Sequence, residues 1–145
     1  MNTTARDRSR KPTTHGPPPR VGLSEAHRRH LAESSIDPAV SEERGTFTAR
    51  RGRDVPQDGG KLPKRSGLVF PVHPLDGGIL HRLRPDNLGR LPKYLQPKGR
   101  TNRLDVHPRQ HAAIKRTGGT RYVTEGEKKV DAGVSRSEYR PLTQE

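Results

Sequence analysis

One β-hairpin signature limits what this chain can fold into. Gly67-Leu68-Val69-Phe70-Pro71-Val72-His73 alternates Leu68, Phe70 and Val72 onto one face. Asp76-Gly77-Gly78 then supplies a turn, and Ile79 to Arg84 returns with Leu80 and Leu83 as its apolar residues. It is the clearest hairpin in the chain. Pro71 removes a ladder donor from the first strand, which argues for a place at a sheet edge.

Little else is available for a core. Of 145 residues only 26% are hydrophobic and 3% aromatic, while 15 Gly and 14 Pro make up a fifth of the chain. That composition fits one small domain with long irregular segments and marginal stability. The absence of cysteine excludes disulfides and thiolate zinc sites. No apolar run approaches the roughly 20 residues that span a bilayer, and no apolar signal segment follows the N-terminus. The expectation is a cytoplasmic protein with no membrane partner.

Taken in order, residues 1–20 read as a disordered basic tail ending in Gly16-Pro17-Pro18-Pro19. Ser24 offers an N-cap for a helix through about Glu33. Asp37-Pro38 and Gly45 bracket a second helix over 38–44. Together these suggest an α-hairpin leaning on the sheet. Phe47 opens a short strand, and Arg50 to Arg65 is a basic loop broken by Pro56 and Gly59-Gly60. Lys93-Tyr94-Leu95 and Arg103-Leu104-Asp105-Val106 are candidate short strands, and Pro108 to Ile114 a helical turn. Residues 137–145 read as a second disordered tail.

The stretch from Thr120 to Ala132 is the main candidate for chemistry. Tyr122-Val123 is β-favouring, Glu125-Gly126 is an acid followed by a turn residue, and Glu127 onward is helical in character. A carboxylate where a strand gives way to a helix can hold Mg²⁺ or act in acid-base catalysis. It can equally be a solvated turn in which Glu125 favours a helix N-terminus. The expected fold is α+β or an incomplete α/β arrangement: short helices, a hairpin and short strands leading into this strand-turn-helix.

The segment T-E-G-E-K-K-x-D-A resembles the first motif of toprim domains. Four further segments lie before it in the chain: Gly67 to His73, Arg84-Pro85-Asp86-Asn87, Lys93 to Gly99, and Leu104 to Pro108. With these the chain from Leu23 to Asp131 resembles the toprim-associated domain of unknown function 3854, found in primase-like proteins of plasmids and phages. The resemblance implies a primase-associated domain over 21–119 and the first strand-turn-helix of a toprim-like domain over 120–136. It also implies that Glu125 occupies the position of the catalytic glutamate. Toprim enzymes use a later Asp-x-Asp pair to help hold Mg²⁺, and none follows here. Mg²⁺ is therefore expected only if that site is completed. A tail that departs from the pattern after about Ser135 would suit a truncated or frameshifted reading frame.

Charge supplies a second line. The formal net charge is +13, and residues 81–103 carry seven Lys or Arg against Asp86 alone. Basic residues clustered in loop-rich stretches suit phosphate contact, although such a composition also keeps a poorly folding chain in solution. The candidate nucleic-acid contacts are Arg82, Arg84, Lys93, Lys98, Arg100, Arg103, Lys128 and Lys129, with Tyr94 as a stacking ring or as partial core. His27 with His30, and His107 with His111, have helical metal-ligand spacing but no third ligand, so no metal site is assigned. The functional expectation is a nucleic-acid-binding fragment of a primase-like replication protein from a mobile element, not active alone. Its partners would be DNA or other nucleic acid and other replication proteins. The alternatives are a Mg²⁺-dependent toprim nucleotidyltransferase or nuclease completed by a partner chain, and a nonfunctional remnant.

Overall fold

A computed structural model of the chain describes residues 22–57, 61–116, 118 and 123–136. The tails expected at 1–20 and 137–145 lie outside the described residues. Two capped helices come first. The Ser24 Oγ accepts from the His27 N–H at 3.2 Å and opens Glu25–Ala32 (α1), meeting a donor that the first helical turn leaves free. Asp37 does the same for Pro38–Arg44 (α2), its Oδ1 lying 2.8 Å from the Ala39 N–H. Gly45 then ends α2 at φ 82°, a left-handed conformation that costs glycine nothing. Both helices fall where their caps predict them.

Three antiparallel strands follow in the order Phe47–Ala49 (β1), Gly67–Val72 (β2) and Leu80–Pro85 (β3). With four short helices this is an α+β fold. Leu68 stands opposite Arg84 and Phe70 opposite Arg82, while Phe47 faces Val69. The edge position expected from Pro71 is corrected: β2 is the central strand. β1 pairs only with 67–69, so Pro71 lies past its end. There the Pro71 carbonyl accepts from Arg44 Nη1 at 2.9 Å. A strand residue's N–H and C=O point to the same edge, so a guanidinium occupies the side on which the proline has no donor.

Every residue of β2 is buried, which the alternation alone did not show. On one face Leu68 and Phe70 pack with Leu31 of α1, Ile36, and Val40 of α2. On the other, Val69 packs with Ala49, Val55, Leu62, Leu83 and Leu95. The segment read as a basic loop thus contributes Val55 and Leu62 to a second core layer. An antiparallel sheet normally leaves one face to water; here irregular chain covers it.

Other expected strands are not formed. Lys93–Leu95 reduces to one bridge, in which Leu83 and Leu95 exchange N–H···O bonds of 2.9 and 2.8 Å. The 103–106 segment is no strand, though the Val106 N–H donates to the His73 carbonyl at 3.1 Å. Pro108–Gln110 forms a 3-10 turn that runs into His111–Lys115 (α3). The strand expected before the acid-glycine turn is also absent where it can be seen. Val123 is 82% exposed and extends no sheet, and Tyr122 lies outside the described residues. Gly126 precedes Glu127–Ser135 (α4). Val134 of this helix enters the Leu68–Phe70 layer.

Candidate nucleic-acid interface

The acids of α4 and its entry turn divide sharply by environment. The Glu125 side chain is 86% exposed and pairs with Lys129 one helical turn on. That ion pair, through a side-chain hydrogen bond first and charge second, lowers the Glu125 pKa. Glu127 and Asp131 are the buried carboxylates, at 2% and 0% exposure. Glu127 Oε1 lies 2.6 Å from Arg82 Nη1. Asp131 receives Arg44 Nε at 2.7 and 2.8 Å on its two oxygens. Four residues apart on one helix, Glu127 and Asp131 share its inner face, while Glu125 precedes the helix and points to water.

This arrangement does not fit a Mg²⁺ site. Glu125 has a lysine beside it, and the two buried acids are each engaged by a guanidinium. Among the described residues no group of three or more His, Asp or Glu is placed to hold a metal. A hard divalent cation takes most of its ligands from oxygens, several of them anionic.

The basic candidates fall into two groups. Arg82, Lys129 and Arg103 pair with Glu127, Glu125 and Asp76 respectively. Arg100 is exposed and lines a shallow cleft with Arg82, Arg103 and Gln96, and Lys98 is exposed on the adjoining turn. The second group converges. The Leu83–Leu95 bridge sets Tyr94 beside Arg84 on the Leu68–Phe70 side of the sheet. α1 and α4 bring His30 and Lys128 to the same place, with Lys128 Nζ 3.0 Å from His30 Nε2. Lys93 Nζ stands 5.8 Å from the centre of the Tyr94 ring. Arg84, Lys93, Tyr94 and Lys128 thus come from β3, a loop and α4 to one notch. His30, considered in the sequence only as a metal ligand, completes it.

Electrostatics mark this notch as over-supplied with positive charge. Burial, then Lys128, then Arg84 hold the His30 pKa down, with Glu33 opposing. Lys128 is likewise lowered, by burial, then Arg84 and Lys93. Cations that depress one another are a favourable place for an anion. The Arg84 Nε is buried and has no hydrogen-bond partner, a costly condition for a charged donor. Tyr94 is half-buried, its ring set edge-on to Phe70 with centroids 6.1 Å apart, and burial raises its pKa. Its partial-core role is therefore met, with the ring also forming part of the notch wall.

The paired histidines are engaged singly, not as ligand pairs. His107 Nε2 donates to the Val40 carbonyl at 2.9 Å and its Nδ1 accepts from the Arg109 N–H. His111 Nε2 donates to the Val106 carbonyl at 2.9 Å. His27 bridges Thr48 Oγ1 at 2.7 Å and Asp86 Oδ1 at 2.8 Å, a set that the sequence did not suggest. Its order resembles a nucleophile-base-acid relay, but Thr48 is only 4% exposed and its Oγ1 also accepts from the Ser24 N–H at 2.8 Å. The set ties α1 to β1 and to the residue after β3.

The chain matches no family model, no curated protein and no solved structure. No helix among the described residues is long and apolar enough to cross a membrane.

Proposed function

We propose that the chain is a nucleic-acid-binding module that grips phosphate through the Arg84–Lys93–Lys128 notch. On the motif resemblance, the module belongs to a primase-like replication protein of a mobile element. The observation that carries this reading is the convergence of three cationic side chains and His30 on one side of the sheet, next to a tyrosine ring. Arg103 and Lys129, by contrast, each have an acid partner. Phosphate contacts of this kind give affinity with little sequence preference. Binding rather than chemistry is favoured because Glu125 is solvated and paired with Lys129.

The test is a titration of fluorescent single- and double-stranded DNA against the protein at several salt concentrations. Affinity should fall linearly on a log-log plot, and Lys93→Met with Lys128→Met should make the slope shallower by about 0.7 to 0.9 for each phosphate no longer neutralised. Binding that ignores salt, or that ignores both substitutions, would remove this reading. Glu125→Gln separates binding from catalysis, because DNA binding should persist unchanged. Mg²⁺-dependent cleavage or primer synthesis by the native chain, abolished by that change, would favour the enzyme instead.

A further inference from the structure

The notch concentrates charge at a point, whereas a nucleic-acid strand spreads one charge per phosphodiester along its length. Lys128 Nζ and His30 Nε2 lie 3.0 Å apart, close enough for both to reach one oxygen cluster. Arg84 is near enough to perturb His30, Lys128 and Tyr94 alike, and its Nε lacks a partner. His30 comes from α1 and Lys128 from α4, and both helices pack on the Leu68–Phe70 layer of the sheet.

From this geometry we propose that the notch is a subsite for a phosphate monoester, the terminal phosphate of a strand, formed by Arg84, Lys128 and His30 with Lys93 at its rim. The inference rests on the nucleic-acid reading and narrows it to a strand end. A monoester carries about 1.5 to 2 negative charges at neutral pH and three strong acceptor oxygens. A diester carries one charge and has two free oxygens. The two fixed cations, Lys128 and Arg84, match the monoester in charge, and Arg84 supplies a planar fork suited to phosphate.

The groups around His30 fit the same picture. Lys128 from α4 and Arg84 from β3 act on it by charge, as do His27 of its own helix and Glu33 at that helix's C-cap. A dianion placed among them would offset the cations that, after burial, lower the His30 pKa, and so would favour the protonated, donating imidazole. Glu33 is the acid that opposes anion entry, and it is exposed. Glu127 also acts on Tyr94, but its carboxylate is held by Arg82 Nη1 at 2.6 Å.

The experiment compares one fluorescent single-stranded oligonucleotide bearing a 5′-phosphate, a 3′-phosphate or hydroxyl ends, in anisotropy titrations with the full chain. A phosphorylated end should bind about tenfold tighter than the hydroxyl-ended strand, the factor expected for one added charge-assisted contact. Lys128→Met and Arg84→Met should each remove that preference while hydroxyl-ended binding weakens only a few-fold. Lys115→Met, an exposed lysine of α3, serves as the control and should leave the preference intact. A nucleoside monophosphate added as competitor distinguishes a strand end from a free nucleotide. Competition at concentrations near those of the strand would assign the subsite to free nucleotides and overturn the strand-end proposal. Equal binding of all three strands would overturn the subsite while leaving nucleic-acid binding in place. No binding of any strand would overturn both. Circular dichroism of each variant checks folding, and His30→Gln provides a milder change that should also reduce the preference.

Discussion

Arg44 and Asp131, 87 residues apart in the chain, meet with neither side chain exposed to solvent. The same guanidinium donates to the Pro71 carbonyl at 2.9 Å and to Asp105 Oδ1 at 3.0 Å. One buried cation therefore joins α2, α4, the central strand and the segment after the hairpin. Burial disfavours the charged carboxylate more than Arg44 favours it, so the Asp131 pKa is pushed up to about 6.

Removing one partner of such a pair leaves an uncompensated buried charge. Asp131→Ala should destabilise the fold by about 3 to 5 kcal/mol, and Arg44→Met by a similar amount. The double variant Arg44→Met with Asp131→Leu should lose less than the sum of the two, since no charge is then stranded. Urea unfolding midpoints of the four proteins check this. Additive losses would mean that the pair is not coupled as its geometry implies.

Acid should weaken the fold. His73 and His107 have pKa values held below 6.5, chiefly by burial, so the unfolded chain binds protons near pH 6.5 that the folded chain refuses. Their contribution is present above pH 6.5 and is lost as pH falls. His30 acts in the same sense. Asp131 acts in the opposite one: its folded pKa is about 6 against 3.8, so its contribution is present below 3.8 and lost as pH rises to about 6. The three histidines act together around pH 6.5, whereas Asp131 opposes them only near and below about pH 6. The melting temperature should fall between pH 7 and pH 5, and a rise over that interval would contradict the assignment.

Glu125 and Glu127, two positions apart, should respond oppositely to substitution. Glu125→Gln should leave the melting temperature unchanged, because its partner Lys129 is itself exposed. Glu127→Gln weakens the pair with Arg82 at a buried site and should lower stability by about 1 to 3 kcal/mol. Thermal melts followed by circular dichroism distinguish the two. A larger loss for Glu125 would mean that the turn before α4 is held by contacts through that side chain.

Gly67 should tolerate no side chain. A Cβ there would lie 2.3 Å from the Arg84 carbonyl oxygen and 2.9 Å from the Pro85 Cα. Both are backbone atoms of the paired strand and cannot swing aside. Gly67→Ala should destabilise by at least about 2 kcal/mol, measured by urea denaturation. An unaltered midpoint would mean that the β2–β3 register is looser than observed.

Local chemistry was legible in the sequence wherever a short-range rule applied. Ser24, Asp37-Pro38 and Gly45 bound α1 and α2 because caps and left-handed turns act within four residues. Leu68, Phe70 and the glycines at 77–78 marked the hairpin because strand pairing across a short turn is also local. Which basic residues converge, and which are neutralised by an acid, was not legible. Arg82 and Arg84 are two apart on one strand and face the same way, yet Glu127 lies against one, and the other's Nε has no acceptor. Only the docking of α4 decides between them. The same docking separates Glu125 from Glu127 and Asp131: sequence spacing sets their angles around a helix axis, but solvent access depends on what that helix covers.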